Sequence, residues 1–585
     1  MIAVAVTPVT TATAATKAAD RKVYRLIAAS LRRRWPLVVV GILFMLAVAG
    51  IALLPPLVMK RIVDDAISNG NVSLLGKLAL ILAGLYVAST IFDLVANAIF
   101  LVTGQSILHE IRRMVFRRVL RLPIEFLERK QTGYLTARLG EISSVAMLFS
   151  SGTFKIIVSV VEFVGVLVIM LSMNARLTLM LLAFLPLYYV AVRLLSGSYR
   201  HTSKELMETG ETMSAKLQET FDGVAEVKNL GAEEHRAQEA IRLSDEFVRA
   251  GVRQGAVFTV GGQALTLITS LITVAFLYLV GRDIIRGTFT LGGYLAFAGY
   301  IGKLLAPFGH MMNYTLMVQP ALAALERVNE FVNEVTEEER FSGKPSPGVI
   351  DRIEFRNVRF AYPSSPDKTV LDEISFEANR PMSLSIIGPN GAGKSTAIKL
   401  LLGYYPSYDG QILINARELR ELNVLDLRRR IAVVSQDPFL FDGTVAENLE
   451  LALQASSEVP GGDAEPSRHK ALLEHALARL QQKQPLVAKL LERFPQGLAA
   501  QVGEGGRQLS GGQRQIVAIL RALLREADVV IFDEATAHLD DEIRELVREG
   551  VQRLFSEKIC VVLTHDPDLA ALTKSQVRLE AGRMV

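Results

Sequence analysis

A glycine-rich stretch reads Gly388-Pro389-Asn390-Gly391-Ala392-Gly393-Lys394-Ser395, which fits the pattern G-x-x-x-x-G-K-[ST]. The apolar run Ser383 to Ile387 precedes it, and a helical pattern from Thr396 to Leu402 follows. Glycines in this context let backbone N–H groups close around phosphate oxygens, and the helix N-terminus adds a partial positive charge. The sequence therefore predicts an α/β domain whose phosphate-binding loop consists of Gly388, Pro389, Asn390, Gly391, Ala392, Gly393, Lys394, Ser395 and Thr396.

A second motif lies further along the chain, where an apolar strand ends in two carboxylates. It reads Val529-Val-Ile-Phe-Asp533-Glu534. Beside a phosphate loop, we expect Lys394 to reach the β and γ phosphates of a nucleotide, and Ser395 and Asp533 to hold Mg²⁺. Glu534 is then placed to polarise an attacking water as a general base. Many strands end in Asp, so this motif is informative only in combination with the phosphate loop.

The third motif is the most discriminating of the three. It reads Leu509-Ser510-Gly511-Gly512-Gln513 and opens a helical pattern. A Ser-Gly-Gly at a helix N-terminus is a second place where an anion can bind. A second phosphate-binding terminus is redundant unless it faces a nucleotide held elsewhere.

The first half of the chain contains long apolar runs. A helix needs about 20 apolar residues to cross a bilayer. Six runs are candidates, at about 37–59, 78–103, 154–173, 177–192, 257–280 and 291–312. The alternative, buried helices of a soluble protein, is disfavoured because six such runs in succession are hard to explain otherwise.

The overall composition agrees with partial embedding in lipid. Of the 585 residues 50% are hydrophobic and only 21% are charged, whereas soluble domains carry about 25% charged residues. Ample apolar surface excludes global disorder, and the single cysteine, Cys560, excludes a disulfide scaffold. The net charge of +4 gives no argument for nucleic acid as a partner.

The charge distribution predicts the orientation and the domain limits. Lys and Arg are concentrated before the first run and in the connections after the second and fourth runs. The positive-inside rule places these segments and the C-terminal half in the cytoplasm. Residues 1–16 show no charged signal-peptide start, and we expect a disordered tail over 1–19. We expect a membrane domain over 20–335, a breaker-rich linker over 336–350 and a nucleotide-binding domain over 351–585.

The three motifs and the six runs together resemble the ABC transporter superfamily, and more specifically its half-size exporters, over about residues 20–585. The resemblance implies an α-helical polytopic membrane domain, with six transmembrane helices and long cytoplasmic extensions, followed by an α/β P-loop ABC ATPase domain. It also implies ATP and Mg²⁺ as cofactors, and coupling-helix regions at Phe126–Tyr134 and Gln218–Gly231.

The resemblance assigns roles to single residues. Tyr362 resembles the aromatic residue that stacks on adenine, and Asp540 the aspartate of the segment that crosses the dimer interface. His565 resembles the histidine that contacts the γ-phosphate, and Gln436 the glutamine that contacts Mg²⁺ and couples to the membrane domain. The implied catalytic residues are Glu534, His565 and Gln436, the implied metal ligands are Ser395, Gln436 and Asp533, and the implied nucleotide contacts from the third motif are Ser510, Gly511, Gly512 and Gln513.

Two departures from the family pattern stand out. The interface segment reads Thr536-Ala537-His538-Leu539-Asp540 where the family usually has Ser-Ala-Leu-Asp. The histidine and the missing serine hydroxyl put interface hydrogen bonding in doubt. The stretch Gln454 to Lys470 resembles an insertion rich in Ser, Gly, Pro and Glu. We interpret it as a solvated loop, with a regulatory contact as the alternative.

One chain holds one phosphate loop and one Ser-Gly-Gly motif, and in this family each ATP lies between the loop of one domain and the motif of another. The resemblance therefore implies a dimer, and the intact Glu534 and His565 favour a homodimer over a heterodimer. The expected function is ATP-driven export of an amphipathic drug, lipid or peptide across a bacterial inner membrane. A lipid or lipid-linked sugar flippase, or a siderophore-type importer, is the alternative on the same fold.

Charges inside the spans are candidates for recognising the unknown solute. Asp93 and Asn97 are four residues apart, Glu162 lies in the third run and Lys303 in the sixth. Either these groups pair with one another, for example Asp93 or Glu162 with Lys303, or they line a polar cavity for an amphipathic or cationic solute.

Overall fold

The computed structural model describes residues 21–129, 139–454, 466–535, 544–545, 548–549, 553–571 and 573–585. These residues form two compact units, the first within Met1–Val119 and Thr132–Asn333 and the second within Leu120–Gln131 and Glu334–Val585. Several predicted features lie outside the described residues: the tail at 1–19, residues 130–134 of the first coupling region, most of the insertion, and Ala537, His538 and Asp540.

Helices make up the first unit. They are α1 (Arg21–Arg33), α2 (Trp35–Ala52), α3 (Leu54–Arg61), α4 (Val72–Val119), α6 (Ser151–Leu182), α7 (Leu185–Asp222), α8 (Val224–Asn229), α9 (Glu233–Ile285) and α10 (Leu291–Asn333), with a π-helical turn at Ile62–Ile67 and a 3₁₀ segment at Ile142–Phe149. The short α5 (Ile124–Glu128) belongs to the second unit.

Four described helical segments are long and apolar enough to cross a membrane: Trp35–Ile67, Val72–Val119, Leu139–Leu182 and Glu233–Ile285. They contain the predicted runs at 37–59, 78–103, 154–173 and 257–280. The predicted run at 177–192 is divided between α6 and α7, and the run at 291–312 lies in α10. Six spans therefore stay a prediction.

The surface of α4 shows why this unit needs lipid. Only 6% of its most apolar 18-residue window is buried within the chain. Leu80 and Leu94 are among its exposed side chains. A soluble protein rarely leaves so long an apolar stripe uncovered.

The third and fourth predicted runs separate at Asn174. Its backbone is extended (φ −162°, ψ 101°) within α6. Its side-chain Oδ1 accepts a hydrogen bond from the Leu177 backbone N–H at 3.1 Å, as a helix N-cap does. The chain therefore turns at the predicted place, and a second break follows before Pro186, where α7 begins.

The predicted polar residues of these helices include one ion pair and one hydrogen-bonded pair. Lys303 Nζ lies 3.2 Å from Glu162 Oε1, and Asn97 Nδ2 donates to Asp93 Oδ2 at 3.0 Å. The pairing alternative is therefore confirmed for Glu162 with Lys303.

Two sheets organise the second unit. Its strands are β1 (Arg352–Ala361), β2 (Thr369–Asn379), β3 (Met382–Ile387), β4 (Asp409–Ile414), β5 (Arg417–Glu418), β6 (Ile431–Val434), β7 (Val529–Asp533), β8 (Ile559–Thr564), β9 (Ser575–Glu580) and β10 (Arg583–Met584). The orders are β2-β1-β4-β5 in an antiparallel sheet and β10-β9-β3-β8-β7-β6 in a second, mainly parallel sheet. Strands β7 and β8 are almost wholly buried, which explains their continuous apolar sequences.

The helices of this unit cover the sheets. Besides α5 they are α11 (Glu337–Phe341), α12 (Lys394–Leu401), α13 (Val424–Arg429), α14 (Val445–Gln454), α15 (Pro466–Lys483), α16 (Leu486–Leu491), α17 (Gly511–Leu524) and α18 (Pro567–Ala570). Residues 466–470 of the predicted loop belong to α15, which begins at Pro466, a residue suited to the first helical turn.

The predicted linker at 336–350 contains a helix, which the sequence analysis did not predict. Thr336 caps α11: its side chain accepts from the Glu339 N–H at 3.2 Å, and the Glu339 carboxylate accepts from the Thr336 N–H at 3.1 Å. This reciprocal capping box satisfies two backbone groups. The Glu337 carboxylate accepts two bonds from Arg428, at 2.6 and 2.8 Å, so the linker is fastened to the second unit.

Candidate functional site

The structure brings most of the predicted nucleotide residues around one cavity of about 720 Å³ in the second unit. Predicted residues that line it are Tyr362, Asn390, Gly391, Ala392, Gly393, Lys394, Ser395, Thr396, Gln436, Asp533 and Glu534. The parallel strands β3 and β7 both end at this cavity, as expected for an α/β sheet that binds its ligand at the carboxyl ends of its strands.

The glycines of the phosphate loop are needed for steric reasons. A Cβ on Gly388 would lie 2.2 Å from the carbonyl oxygen of Leu579. Gly393 has φ +99°, and a Cβ there would lie 2.6 Å from Leu371 Cδ2. A left-handed backbone conformation and such close neighbours together admit only glycine. The loop can therefore approach β9 and β2 and present its N–H groups to the cavity.

Lys394 and Glu534 meet inside the cavity. Lys394 is 5% exposed, and its Nζ donates to the carbonyl oxygens of Gly388 at 2.7 Å and Pro389 at 3.2 Å. The same Nζ lies 3.1 Å from Glu534 Oε1. Glu534 takes a backbone φ of +49°, an uncommon conformation for a residue with a side chain, and such residues cluster at functional sites.

Ser395 and Asp533 form the neighbouring pair. The Ser395 hydroxyl donates to Asp533 Oδ2 at 3.1 Å. Burial raises the pKa of Asp533 above its ordinary value; the hydrogen bond from Ser395 lowers it and the nearby Glu534 carboxylate raises it further. A hydroxyl, a carboxylate and the Gln436 amide facing one cavity are oxygen donors of the kind that Mg²⁺ prefers.

These residues fit a Mg²⁺ ion that is also bound by a nucleotide better than they fit a Mg²⁺ ion held by protein ligands only. Among the described residues no group of three or more His, Cys, Asp or Glu side chains is arranged to hold a metal ion. Mg²⁺ in phosphoryl-transfer sites takes one or two protein ligands and completes its shell with phosphate oxygens and water. Ser395, Asp533 and Gln436 suffice for that role.

Tyr362 also lines the cavity. Its hydroxyl lies 3.0 Å from the Thr396 hydroxyl, and its ring makes edge contacts with Phe360 at 5.1 Å and Tyr405 at 5.2 Å between ring centroids. An aromatic ring held in this way offers a rigid surface on which a base can stack.

The third motif adopts the predicted helix N-terminus, but it does not line the cavity. Ser510 caps α17: its hydroxyl accepts from the Gln513 N–H at 3.2 Å, and Gln513 Oε1 accepts from the Ser510 N–H at 3.0 Å. The free N–H groups of Gly511 and Gly512 lie in the same first turn. Among the described residues, Ser510 to Gln513 are absent from the lining of the cavity.

His565 lies beside the base candidate. Its Nδ1 is 3.9 Å from Glu534 Oε2, and its side chain is 60% exposed. It therefore sits at the rim of the site. Asp540, which was predicted to cross a dimer interface, lies outside the described residues.

Sequence reasoning missed several residues of the site. Ser364, Ser365, Lys368, Thr369, Val370 and Ala581 also line the cavity. The two serines follow Tyr362-Pro363 directly, so their position after a β-strand could have been used to predict that they line the cavity. Ala581 carried no local signal, because it reaches the site through the pairing of β9 with β3. Gln515 was also missed: its Nε2 donates to the carbonyls of Ser435 and Gln436, both at 2.9 Å, which ties α17 to the Gln436 loop.

Comparison with known families decides the identity. A family model of the ABC transporter transmembrane region matches residues 38–308. A second family model, described as ABC transporter, matches residues 371–537. The chain belongs to the ABC transporters. It is an integral membrane protein and an ATPase coupled to transport, of the half-size exporter type in which the two domains are fused.

Relatives of this ABC transporter match over nearly their whole length. A putative multidrug export ATP-binding/permease protein of Bacillus subtilis is 26% identical over 91% of this chain and 90% of its own. An ATP-dependent lipid A-core flippase of Yersinia pestis is 28% identical over 95% and 94%, and one of Escherichia coli is 27% identical over 91% and 90%.

Among solved structures, a bacterial Atm1-family ABC exporter with ATP bound has a TM-score of 0.78 and 24% identity, and covers 95% of both chains. This similarity concerns the fold, and it agrees with the predicted order of a helical membrane domain followed by an α/β ATPase domain.

Proposed function

We propose that this ABC transporter is a homodimeric exporter that hydrolyses ATP to move an amphipathic solute out of the cytoplasm of a bacterium, across the inner membrane. The observation that carries the proposal is the cavity in which Lys394, Ser395, Asp533 and Glu534 meet. A site that only senses ATP has no need of a buried carboxylate beside its phosphate-binding lysine.

Six residues in and beside the cavity have chemical tasks in the proposed turnover. Glu534 acts as general base and polarises the attacking water. Lys394 already carries its cation deep in the site, where it neutralises the charge of the β and γ phosphates. Mg²⁺, held by Ser395, Asp533 and Gln436, supplies further positive charge to the phosphate oxygens when bound. His565 at the rim contacts the γ-phosphate.

A second copy of the chain completes the site. The N-terminus of α17, with Ser510, Gly511 and Gly512, has free N–H groups and a favourable dipole for phosphate. These residues do not face the cavity of their own chain among the described residues. In the proposed homodimer they close the partner's nucleotide site, and the dimer has two composite ATP sites.

The solute is proposed to be amphipathic. In the first unit, a cavity of about 470 Å³ has a mainly apolar lining that includes Pro55, Met59 and Leu85, with Tyr86, Ser89 and Lys303 as its polar members. An apolar cavity with few polar groups suits a molecule with an apolar body and a small polar part. The similarity to lipid A-core flippases makes a lipid flippase the second candidate, with the same nucleotide chemistry.

The test is ATPase activity of the purified full chain in lipid vesicles. We expect Glu534→Gln to lose at least about 100-fold in turnover, the scale of a removed general base. Glu526→Gln is the control, because Glu526 is an exposed residue in a surface pair with Arg479. A wild type without activity would contradict the homodimer, and a Glu534→Gln variant with wild-type activity would contradict the role of Glu534.

Direction and solute class are tested in inverted vesicles. We expect ATP-dependent uptake of a fluorescent amphipathic drug or lipid into the vesicle interior, and stimulation of the ATPase by the same compounds. Lipid movement between leaflets without uptake of drugs would favour the flippase. ATP-dependent release from preloaded vesicles would contradict export.

A further inference from the structure

Helix α5 ends beside two residues that contact Tyr362. The Glu128 carboxylate, at the last residue of α5, accepts a hydrogen bond from Lys399 Nζ at 3.0 Å. It also accepts one from the Tyr405 hydroxyl. Lys399 lies in α12, the helix that starts at Lys394, and Tyr405 follows that helix. One carboxylate therefore joins α5 both to the phosphate-loop helix, through Lys399, and to the segment that follows it, through Tyr405.

The same two donors surround Tyr362. The Tyr405 ring meets the Tyr362 ring edge-on, with 5.2 Å between centroids and 87° between planes. Lys399 Nζ lies 5.8 Å from the centroid of the Tyr362 ring, within the range of a cation–π contact. The Tyr362 hydroxyl is fixed by Thr396. The orientation of Tyr362 thus depends on groups that Glu128 holds.

Glu128 has no easy replacement as the acceptor for Tyr405. Tyr405 is 4% exposed, and a buried hydroxyl that loses its partner stays unsatisfied or moves its ring. Burial raises the pKa of Glu128, but the hydrogen bonds from Tyr405 and Lys399 lower it by more than burial raises it. The pKa of Glu128 therefore lies below its ordinary value. The carboxylate is therefore charged at neutral pH.

We propose that Glu128 is a positioning residue for the base-stacking tyrosine. Through Tyr405 and Lys399 it sets the orientation of Tyr362, and so links α5 to the base-binding part of the cavity. This connection is separate from Gln436, which faces the phosphate end. The inference rests on the proposed nucleotide site and adds to it a residue outside the cavity that affects nucleotide affinity.

The experiment compares Glu128→Gln with Glu125→Gln in the full chain in lipid vesicles. Both remove one negative charge from α5, but Glu125 accepts its hydrogen bond from Arg129, the residue directly after α5, at 2.6 Å. We measure KM and kcat for ATP and for GTP. For Glu128→Gln we expect KM for ATP to rise about 3- to 10-fold, with kcat within about 2-fold and a reduced preference for ATP over GTP, because a lost binding contact raises KM alone.

Tyr405→Phe keeps the ring and removes the hydroxyl, and it serves as the second variant. We expect a change in the same direction with a smaller rise in KM. A merely structural role of Glu128 would lower the amount of active protein, and so kcat, without changing the preference for the base. Equal KM values and equal ATP-to-GTP preference in Glu128→Gln and Glu125→Gln would overturn the inference. In that case ATP turnover by the wild type would still support the proposed function.

Discussion

The pair between Glu337 and Arg428 is predicted to be a main attachment of the linker to the second unit. Its two N–H···O bonds measure 2.6 and 2.8 Å, and the side chains are only 12% and 18% exposed. Glu337→Gln keeps the shape but removes the charge and one of the two acceptors. Hydrogen bonds to charged groups contribute about 1.5–3 kcal/mol each, and breaking a buried pair costs more than breaking an exposed one.

We therefore expect Glu337→Gln to lower the free energy of unfolding of this unit by about 3 kcal/mol. The loss is not larger because Arg428 keeps its hydrogen bond to the Leu402 carbonyl at 2.7 Å. For a domain of this size, that loss lowers the unfolding midpoint by roughly 6–12 °C. The matched control is Glu338→Gln. Glu338 pairs with Arg121 at 2.9 Å, but both side chains are about half exposed, so we expect a loss of about 1 kcal/mol or less.

The chain supplies its own reporter for this measurement. Cys560 is the only cysteine, and it is 1% exposed in β8. Burial raises the pKa of its thiol to about 12, so a thiol-reactive fluorophore labels it only when the second unit unfolds. A labelling midpoint that falls no further in Glu337→Gln than in Glu338→Gln would refute the stabilising role of the Glu337–Arg428 pair.

Three further outcomes are expected. Gly388→Ala places a methyl group 2.2 Å from the Leu579 carbonyl oxygen, so it should abolish binding of a fluorescent ATP analogue; wild-type affinity would contradict the close approach. Ser510→Ala loses the cap of α17 and should cost about 1 kcal/mol, seen as a lower Cys560 labelling midpoint, with a larger loss of ATPase if Ser510 faces the partner's nucleotide. The pKa of Glu128 lies below its ordinary value of 4.5, so the contribution of its charge to ATP binding is present above that pH and is lost only as the pH falls below it. The ratio of KM in Glu128→Gln to KM in the wild type should therefore stay constant between about pH 5.5 and 8. A ratio that changes in that range would contradict an ionised Glu128.

Local sequence was sufficient to predict that the phosphate-loop residues lie together at the cavity. The glycines, Lys394 and Ser395 are neighbours in the chain, and a strand–loop–helix order leaves little choice in how they fold. The apolar continuity of β7 likewise predicts a buried strand that delivers Asp533 and Glu534 to one edge of a parallel sheet. Resemblance to a family then supplied Tyr362, Gln436 and His565, which no local pattern identifies.

Other features of the chain could not be predicted from sequence. The helix within the linker was missed because Glu337-Glu338-Glu339 looks like a solvated acidic run, and only its capping box and Arg428 show that it is ordered and attached. Ala581 reaches the cavity through strand pairing, and Gln515 reaches the Gln436 loop from a different helix. These contacts join residues about 80 to 200 positions apart, a distance over which sequence periodicity carries no information.

The sequence by itself determined the class of this protein, a membrane domain joined to a domain with a phosphate loop. It also predicted a Mg²⁺ carboxylate and a general base from the order of residues over short stretches. Tertiary structure alone decided which side chains meet. Glu128 lies more than 270 positions from Lys399 and Tyr405, and Lys394 is paired with Glu534 across the sheet. The physical reason is that hydrophobic periodicity fixes secondary structure locally, whereas hydrogen bonds and ion pairs form between whatever groups the packed strands and helices bring within about 3 Å.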